Sequence, residues 1–296
     1  MACELNATRC IEVLLQGGAD LRADDGQVRS PLQIACENAA FDAAKLLIEK
    51  GASVTASDKS DWSPLHWIAF HGSMELASLA LKHKAPVDAV DSTGQTPLFN
   101  AISRGHDELG LLLLDHGASV VCVDGSRRTA LHLALQHSGG GGTQTLPLVK
   151  RILERNPNVD AHDKEKRTAL HWASGKNVLP CLSALIDAHA DLGVRDGVGQ
   201  TPLHWACVNG SVECVKALLE AGALPALSDR DQRVPLHYAA DRGSAECLTL
   251  LLSVPDIVVR STRVDHRPGH CTEDGKRHHS HLGAAFFRQN VKSLEN

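Results

Sequence analysis

Histidine and cysteine are the residues of this sequence with the greatest capacity for chemistry. The 296 residues include 17 histidines and nine cysteines, and imidazole and thiolate groups bind zinc or serve as bases and nucleophiles. Five histidines, however, occupy the same place in a repeated tetrapeptide, namely His66, His132, His171, His204 and His237. No serine or cysteine nucleophile recurs with a positioned base, so we predict structural roles for these histidines, no catalytic residues and no enzyme.

A second group of soft ligands stands near the end of the sequence, outside the repeated pattern. Its members are His270, Cys271, His278, His279 and His281. Their spacing matches no zinc module, so a genuine metal site and mere adventitious affinity both stay open, and these five residues are only weak metal candidates. We expect no metal and no other cofactor.

The histidines belong to a tetrapeptide of the type Thr-Pro-Leu-His that divides the sequence into regular steps. It starts at Ser30, Ser63, Thr96, Thr129, Thr168, Thr201 and Val234, so the step is 33 residues five times and 39 residues once. An aspartate recurs in the same register at positions 25, 58, 91, 124, 163, 196 and 229. The long step contains four consecutive glycines within residues 138–143, which predict a flexible surface insertion. The alternative is a binding loop.

A 33-residue period with this tetrapeptide resembles the ankyrin repeat. The resemblance implies an all-α ankyrin-repeat solenoid of stacked helix-turn-helix units with β-hairpin-like fingers. Residues 1–29 correspond to a partial N-terminal repeat and residues 30–266 to seven full repeats, while 267–296 correspond either to a degenerate capping repeat or to a disordered, histidine-rich tail. Blocks 168–172 and 201–205 look like those of inversin-type ankyrin proteins.

Four cysteines fall at one inward position of the second helix of their repeats: Cys10, Cys181, Cys214 and Cys247. Successive helices pack about 8–10 Å apart, beyond the roughly 7 Å between Cα atoms that a disulfide spans. We therefore predict buried, reduced thiols and a cytoplasmic or nuclear location. The net charge of −5 predicts no general attraction to nucleic acid, and no apolar stretch is long enough to enter a membrane.

The resemblance implies that a partner binds the concave surface formed by the fingers and the ends of the first helices. Two large aromatics, Trp62 and Phe70, with His71 beside Phe70, fall at such positions and are typical interface anchors. The basic candidates at equivalent positions are Arg104, Arg128, Lys164, Arg167, Lys176, Arg233 and Arg242. They favour a protein partner with an acidic segment and an apolar anchor, although solvated charges are an equal alternative.

The sequence therefore predicts a non-catalytic protein–protein interaction scaffold or adaptor, with one or more proteins as partners and no small-molecule substrate. The alternative is binding of nucleic acid or anionic lipid headgroups through the basic residues.

Overall fold

The repeated tetrapeptide begins the first helix of each repeat in the computed structural model, which describes residues 1–26, 28–137 and 144–254. Proline suits the first helical position because its missing N–H would have no acceptor there. It stands there at Pro31, Pro64, Pro97, Pro202 and Pro235. Three of these helices end at a glycine in the left-handed conformation: Gly72, Gly210 and Gly243.

Each first helix is followed by a second, antiparallel helix, and the described residues contain fifteen helices and no strand. The first helices are α2 (Pro31–Glu37), α4 (Pro64–His71), α6 (Pro97–Ser103), α8 (Ala130–His137), α10 (Ala169–Gly175), α12 (Pro202–Asn209) and α14 (Pro235–Arg242). The second helices are α1 (Thr8–Gln16), α3 (Phe41–Glu49), α5 (Met74–Lys82), α7 (Asp107–Asp115), α9 (Leu146–Leu153), α11 (Leu179–Asp187), α13 (Val212–Glu220) and α15 (Ala245–Leu252). The all-α fold class is thereby confirmed.

The helices form two compact units, one ending at Lys164 and one beginning at Glu165. In the N-terminal unit α2, α4, α6 and α8 stack in sequence, and α1, α3, α5, α7 and α9 stack beside them. In the C-terminal unit α10, α12 and α14 form one row and α11, α13 and α15 the other. Small and branched apolar side chains fill the space between the rows, so each repeat buries its apolar faces against its neighbours.

The segments that join one repeat to the next form the fingers, and their aspartates organise them. In fingers 58–62, 91–95, 124–128, 196–200 and 229–233, the aspartate Oδ1 accepts the backbone N–H groups two and four residues later, at 2.8–3.0 Å. Single backbone hydrogen bonds join adjacent fingers within each unit, such as Gly125 N–H to the Thr93 carbonyl at 2.9 Å. The aspartate thus holds each finger in the shape that presents its tip.

The motif histidine joins neighbouring repeats. His66 Nδ1 accepts the Ser63 backbone N–H at 3.0 Å and lies 2.9 Å from the Ser63 hydroxyl, while Nε2 lies 3.2 Å from the Gln95 carbonyl of the next finger. Because a backbone N–H can only donate, the ring proton must stand on Nε2. His171 and His204 repeat this arrangement toward the carbonyls of Gln200 and Arg233.

Phenylalanine replaces the motif histidine in the repeat that starts at Thr96. Phe99 is fully buried and has no ring nitrogen, so the buried Thr96 hydroxyl has no hydrogen-bond partner among the described residues. Gln33, by contrast, imitates histidine: its amide oxygen accepts the Ser30 N–H at 2.7 Å. Histidine is therefore replaceable in this fold, but only a polar replacement provides a hydrogen-bond partner for the polar groups at the start of the helix.

One expectation about the thiols is wrong. Cys181, Cys214 and Cys247 are buried, but Cys10 is exposed. Its position on α1 is equivalent to that of Ala43 on α3, which is buried. In α3 the helix α2 covers this position, and the described residues contain no first helix that packs in this way on α1. The glycine insertion at 138–143 and the segment 267–296, with its histidines, lie outside the described residues.

Candidate functional site

The second carboxylate oxygen of the finger aspartates, Oδ2, accepts a hydrogen bond from a nearby side chain, and the identity of that donor differs between repeats. Tyr238 and Trp205 donate to the Oδ2 of Asp229 and Asp196, the aspartates nine residues earlier, at 2.6 and 2.9 Å. Trp67 has the same relation to Asp58, at 3.3 Å. Trp67, Trp205 and Tyr238, each at the fifth place of its block, therefore fasten the first helix to its own finger. The Nε1 of Trp172, at the same place in its block, has no hydrogen-bond partner among the described residues.

Three repeats satisfy this oxygen in another way: in one, Arg29 binds Asp25 Oδ2 through Nε and NH2, at 2.9 and 2.7 Å. The other two use residues predicted to bind a partner. In one, Leu133 stands at the fifth place, and Arg128 binds Asp124 Oδ2 through Nε and NH2, at 2.8 and 2.7 Å. In the other, Asn100 stands at the fifth place, and Trp62 of the preceding finger donates its indole N–H to Asp91 Oδ2 at 3.0 Å. Arg128 and Trp62 thus support the fingers.

The rings of the N-terminal unit form an aromatic cluster on one repeat, made of Trp62, Trp67, Phe70 and His71. The Trp62 centroid lies 4.3 Å from that of Trp67 and 5.8 Å from that of Phe70, and Phe70 lies 5.1 Å from His71. All four side chains are half-buried, so each keeps part of its surface in solvent. The His71 ring is held in place because Nε2 donates to the Glu37 carbonyl at 2.9 Å.

Arg104 of the following repeat completes this surface. Its guanidinium carbon lies 3.7 Å above the centroid of the Phe70 ring, within the range of a cation–π interaction. The arginine is exposed and forms no ion pair with any carboxylate of the described residues. Its N–H edges are consequently free to receive an acceptor from solution.

A comparison between repeats shows that the aromatic cluster replaces a polar contact. The residue just before the tetrapeptide contacts the residue eight places later in three other repeats. These pairs are Arg29 with Glu37 at 2.6 Å, Arg128 with Gln136 at 2.9 Å, and Arg233 with Asp241. Trp62 and Phe70 stand at these two positions and make an aromatic contact instead. Because the fold accepts a polar pair there, packing alone does not require two large rings.

The structure brings the predicted residues of the N-terminal unit together only in part. Trp62, Phe70, His71 and Arg104 form one contiguous surface. Arg128 is half-buried and neutralised by Asp124. Lys164 is exposed, and its backbone N–H binds the Ser126 carbonyl at 3.1 Å. Trp67 is the residue missed, although its place five residues after Trp62 was visible in the sequence.

The predicted basic residues of the C-terminal unit behave differently from one another. Arg167 binds Glu165 at 2.8 Å and lies over the Trp172 ring, with 4.7 Å from guanidinium carbon to centroid. Arg233 pairs with Asp241 and lies 4.2 Å above the Tyr238 centroid. Lys176 and Arg242 are exposed. Two of these four cations are thus engaged by neighbouring carboxylates, and the binding role of all four stays a prediction.

Burial controls the pKa values of titratable groups in the cores of both units. Desolvation lowers the pKa of His66 and His204, because the imidazolium loses hydration in the core. Desolvation also raises the pKa of the Cys36 and Cys214 thiols to about 12. At neutral pH these groups are therefore uncharged, which suits structural roles and disfavours thiolate chemistry.

Within the described ranges, no group of three or more histidines, cysteines or acids is arranged to hold a metal ion. The weak metal candidates from His270 to His281 fall outside those ranges. None of the described helices is both long and apolar enough to span a membrane.

Comparison with known proteins identifies the repeats. The model of the family "Ankyrin repeats (3 copies)" matches residues 1–58, 54–124, 71–146, 120–196 and 176–261. A search of curated proteins found no match to the chain. Repeats of this family are in general protein–protein interaction modules. With helix pairs, fingers and family matches that extend from residue 1 to residue 261, the chain belongs to the ankyrin-repeat family.

Proposed function

We propose that the chain is a non-catalytic scaffold or adaptor, and that its N-terminal unit binds a partner protein through the aromatic cluster. The observation that carries the proposal is the replacement of a polar pair by Trp62 and Phe70. A large ring left partly exposed forgoes some of the stabilisation that its burial would give. It does, however, offer a partner a large contact area with little conformational entropy to lose, as binding hot spots do.

The indole contacts support the same proposal. Hydrogen bonds to Asp91 and Asp58 hold Trp62 and Trp67 in one orientation. A surface that is already ordered before the partner arrives loses less entropy on binding, so its contacts contribute more to affinity.

The ion pairs weigh against the alternative that nucleic acid or anionic lipid binds the basic residues. Arg128, Arg167 and Arg233 already have carboxylate partners, and each pair would have to be broken to contact a phosphate. Binding of that kind would weaken steeply with salt and would tolerate any sequence.

The test is affinity capture from cell lysate with mass spectrometry, using Trp62→Ala/Phe70→Ala and the matched control Arg128→Ala/Gln136→Ala. The control changes the same two positions of another repeat. We expect one dominant protein to bind the wild type and the control, and its affinity for the aromatic variant to fall by about thirtyfold or more, as hot-spot rings imply. Equal retention by all three would contradict the proposal, and recovery of nucleic acid or lipid would favour the alternative. Thermal unfolding of each variant checks that it is folded.

A further inference from the structure

Asn100 is a buried side chain whose amide donor is unused. It is only 3% exposed, and its Nδ2 has no partner among the described residues. Buried amide donors without an acceptor are rare in folded proteins, and each one calls for an explanation. Among the equivalent residues, Trp67, Trp205 and Tyr238 donate to a finger aspartate, while the Nε1 of Trp172 also has no partner among the described residues. For Asn100, the Oδ2 of the corresponding Asp91 already accepts from Trp62.

Asn100 lies one helical turn before Arg104, the cation of the aromatic surface. The Arg104 backbone N–H donates to the Asn100 carbonyl at 3.2 Å, so the two residues are one helical turn apart and share a face of α6. Arg104 covers Phe70 with its guanidinium plane. The exposed guanidinium of Arg104, which contacts Phe70, and the buried amide donor of Asn100 therefore project from the same face of α6, one turn apart.

We infer that Arg104 and the Asn100 amide form a receptor for a carboxylate, and that the partner contributes an aspartate or glutamate next to a large apolar residue. This inference rests on the proposed function and adds the chemistry of the partner. A guanidinium with one face on an aromatic ring keeps its N–H edge for a bidentate carboxylate. Binding must also expose the Asn100 Nδ2, which is buried in the unbound protein, so that it donates to an oxygen of the same segment.

The charge of the site favours a carboxylate over a phosphate. Arg104 is the one exposed arginine that contacts the aromatic cluster in the described residues. The nearby His71 already donates its Nε2–H to the Glu37 carbonyl. One positive charge balances one carboxylate, whereas phosphate carries nearly two negative charges and is usually bound by several cations. The exposed rings supply the contact for the apolar neighbour.

The test uses fluorescein-labelled peptide pools in which a central leucine is followed by glutamate, glutamine, lysine or phosphoserine, with the other positions randomised. Affinity is measured by anisotropy with wild type, Arg104→Gln, Asn100→Leu and Trp62→Ala. Arg127→Gln is the matched control, because Arg127 is also an exposed arginine of the N-terminal unit and its removal changes the charge equally.

We expect the glutamate pool to bind at least about tenfold more tightly than the glutamine pool, as a charge-assisted hydrogen bond implies. Arg104→Gln should bring this ratio close to one, Asn100→Leu should weaken the glutamate pool, and Arg127→Gln should leave it unchanged. Trp62→Ala should weaken both pools alike, because the ring contacts the apolar neighbour.

Equal binding of glutamate and glutamine pools that still depends on Trp62 would overturn the inference and leave the proposed function standing. A preference for lysine or phosphoserine, or equal effects of the Arg104 and Arg127 changes, would also overturn it. If no pool binds, the inference fails, and capture from lysate then decides the proposed function separately.

Discussion

Replacing Asn100 by leucine should make the protein more stable. The side chain is 3% exposed and leaves a donor unsatisfied, a defect that costs about 1–3 kcal/mol. The next repeat shows that leucine fits, because Leu133 stands at the equivalent position and is also 3% exposed. We therefore expect Asn100→Leu to raise the free energy of unfolding by about 1–3 kcal/mol. Each kcal/mol corresponds to about 2–4 °C in Tm for a unit of 150–250 residues.

Urea unfolding followed by circular dichroism, extrapolated linearly to water, measures this change. The matched control is Leu133→Asn, which introduces the same buried amide and should lower the free energy of unfolding. If Asn100→Leu is neutral or destabilising while Leu133→Asn is tolerated, the amide has an acceptor and the reasoning is refuted. A stabilised variant that no longer distinguishes the glutamate pool would explain Asn100 as a residue kept for binding at the expense of stability.

Three further predictions concern burial and packing in the two units. Burial lowers the pKa of His204, so the unfolded chain binds protons that the native chain excludes. The free energy of unfolding should therefore fall as the pH drops below about 6.5. Urea unfolding at pH 7.5 and 5.5 measures this change, and His204→Gln should reduce the pH dependence. Gly72→Ala should destabilise the protein more than Gly105→Ala in the same assay. Both glycines have positive φ (79° and 77°), but only at Gly72 would the new Cβ lie 2.6 Å from an imidazole ring, that of His106. Equal losses of stability would contradict the packing argument. Ellman's reagent should label Cys10 quickly in the native protein and Cys36 only after unfolding. Cys10 is exposed, whereas burial raises the pKa of Cys36 to about 12. Rapid labelling of Cys36 in the native protein would contradict this prediction and show that the core opens.

Local spacing, together with the resemblance to the ankyrin repeat, predicted the helix pairs, the fingers and the structural role of the histidines. Each depends on residues close together in the sequence: proline opens a helix, aspartate closes a turn over four residues, and the histidine lies three residues from the N–H that it accepts. Trp62 and Phe70 were identified as candidates because they are large aromatics at positions that the resemblance assigns to the concave surface.

Contacts between repeats decided the rest, because they depend on which side chain the neighbouring repeat presents. Trp62 binds Asp91, 29 residues away, only because Asn100 stands where other repeats have an aromatic donor. Arg128 and Arg104 were both predicted basic candidates, but one pairs with a buried carboxylate and the other covers a ring. The sequence by itself determined the repeating framework and its candidate positions. The tertiary structure determined which of those positions keep an unused donor or an exposed ring, since hydrogen-bond partners are settled only when neighbouring repeats are packed together.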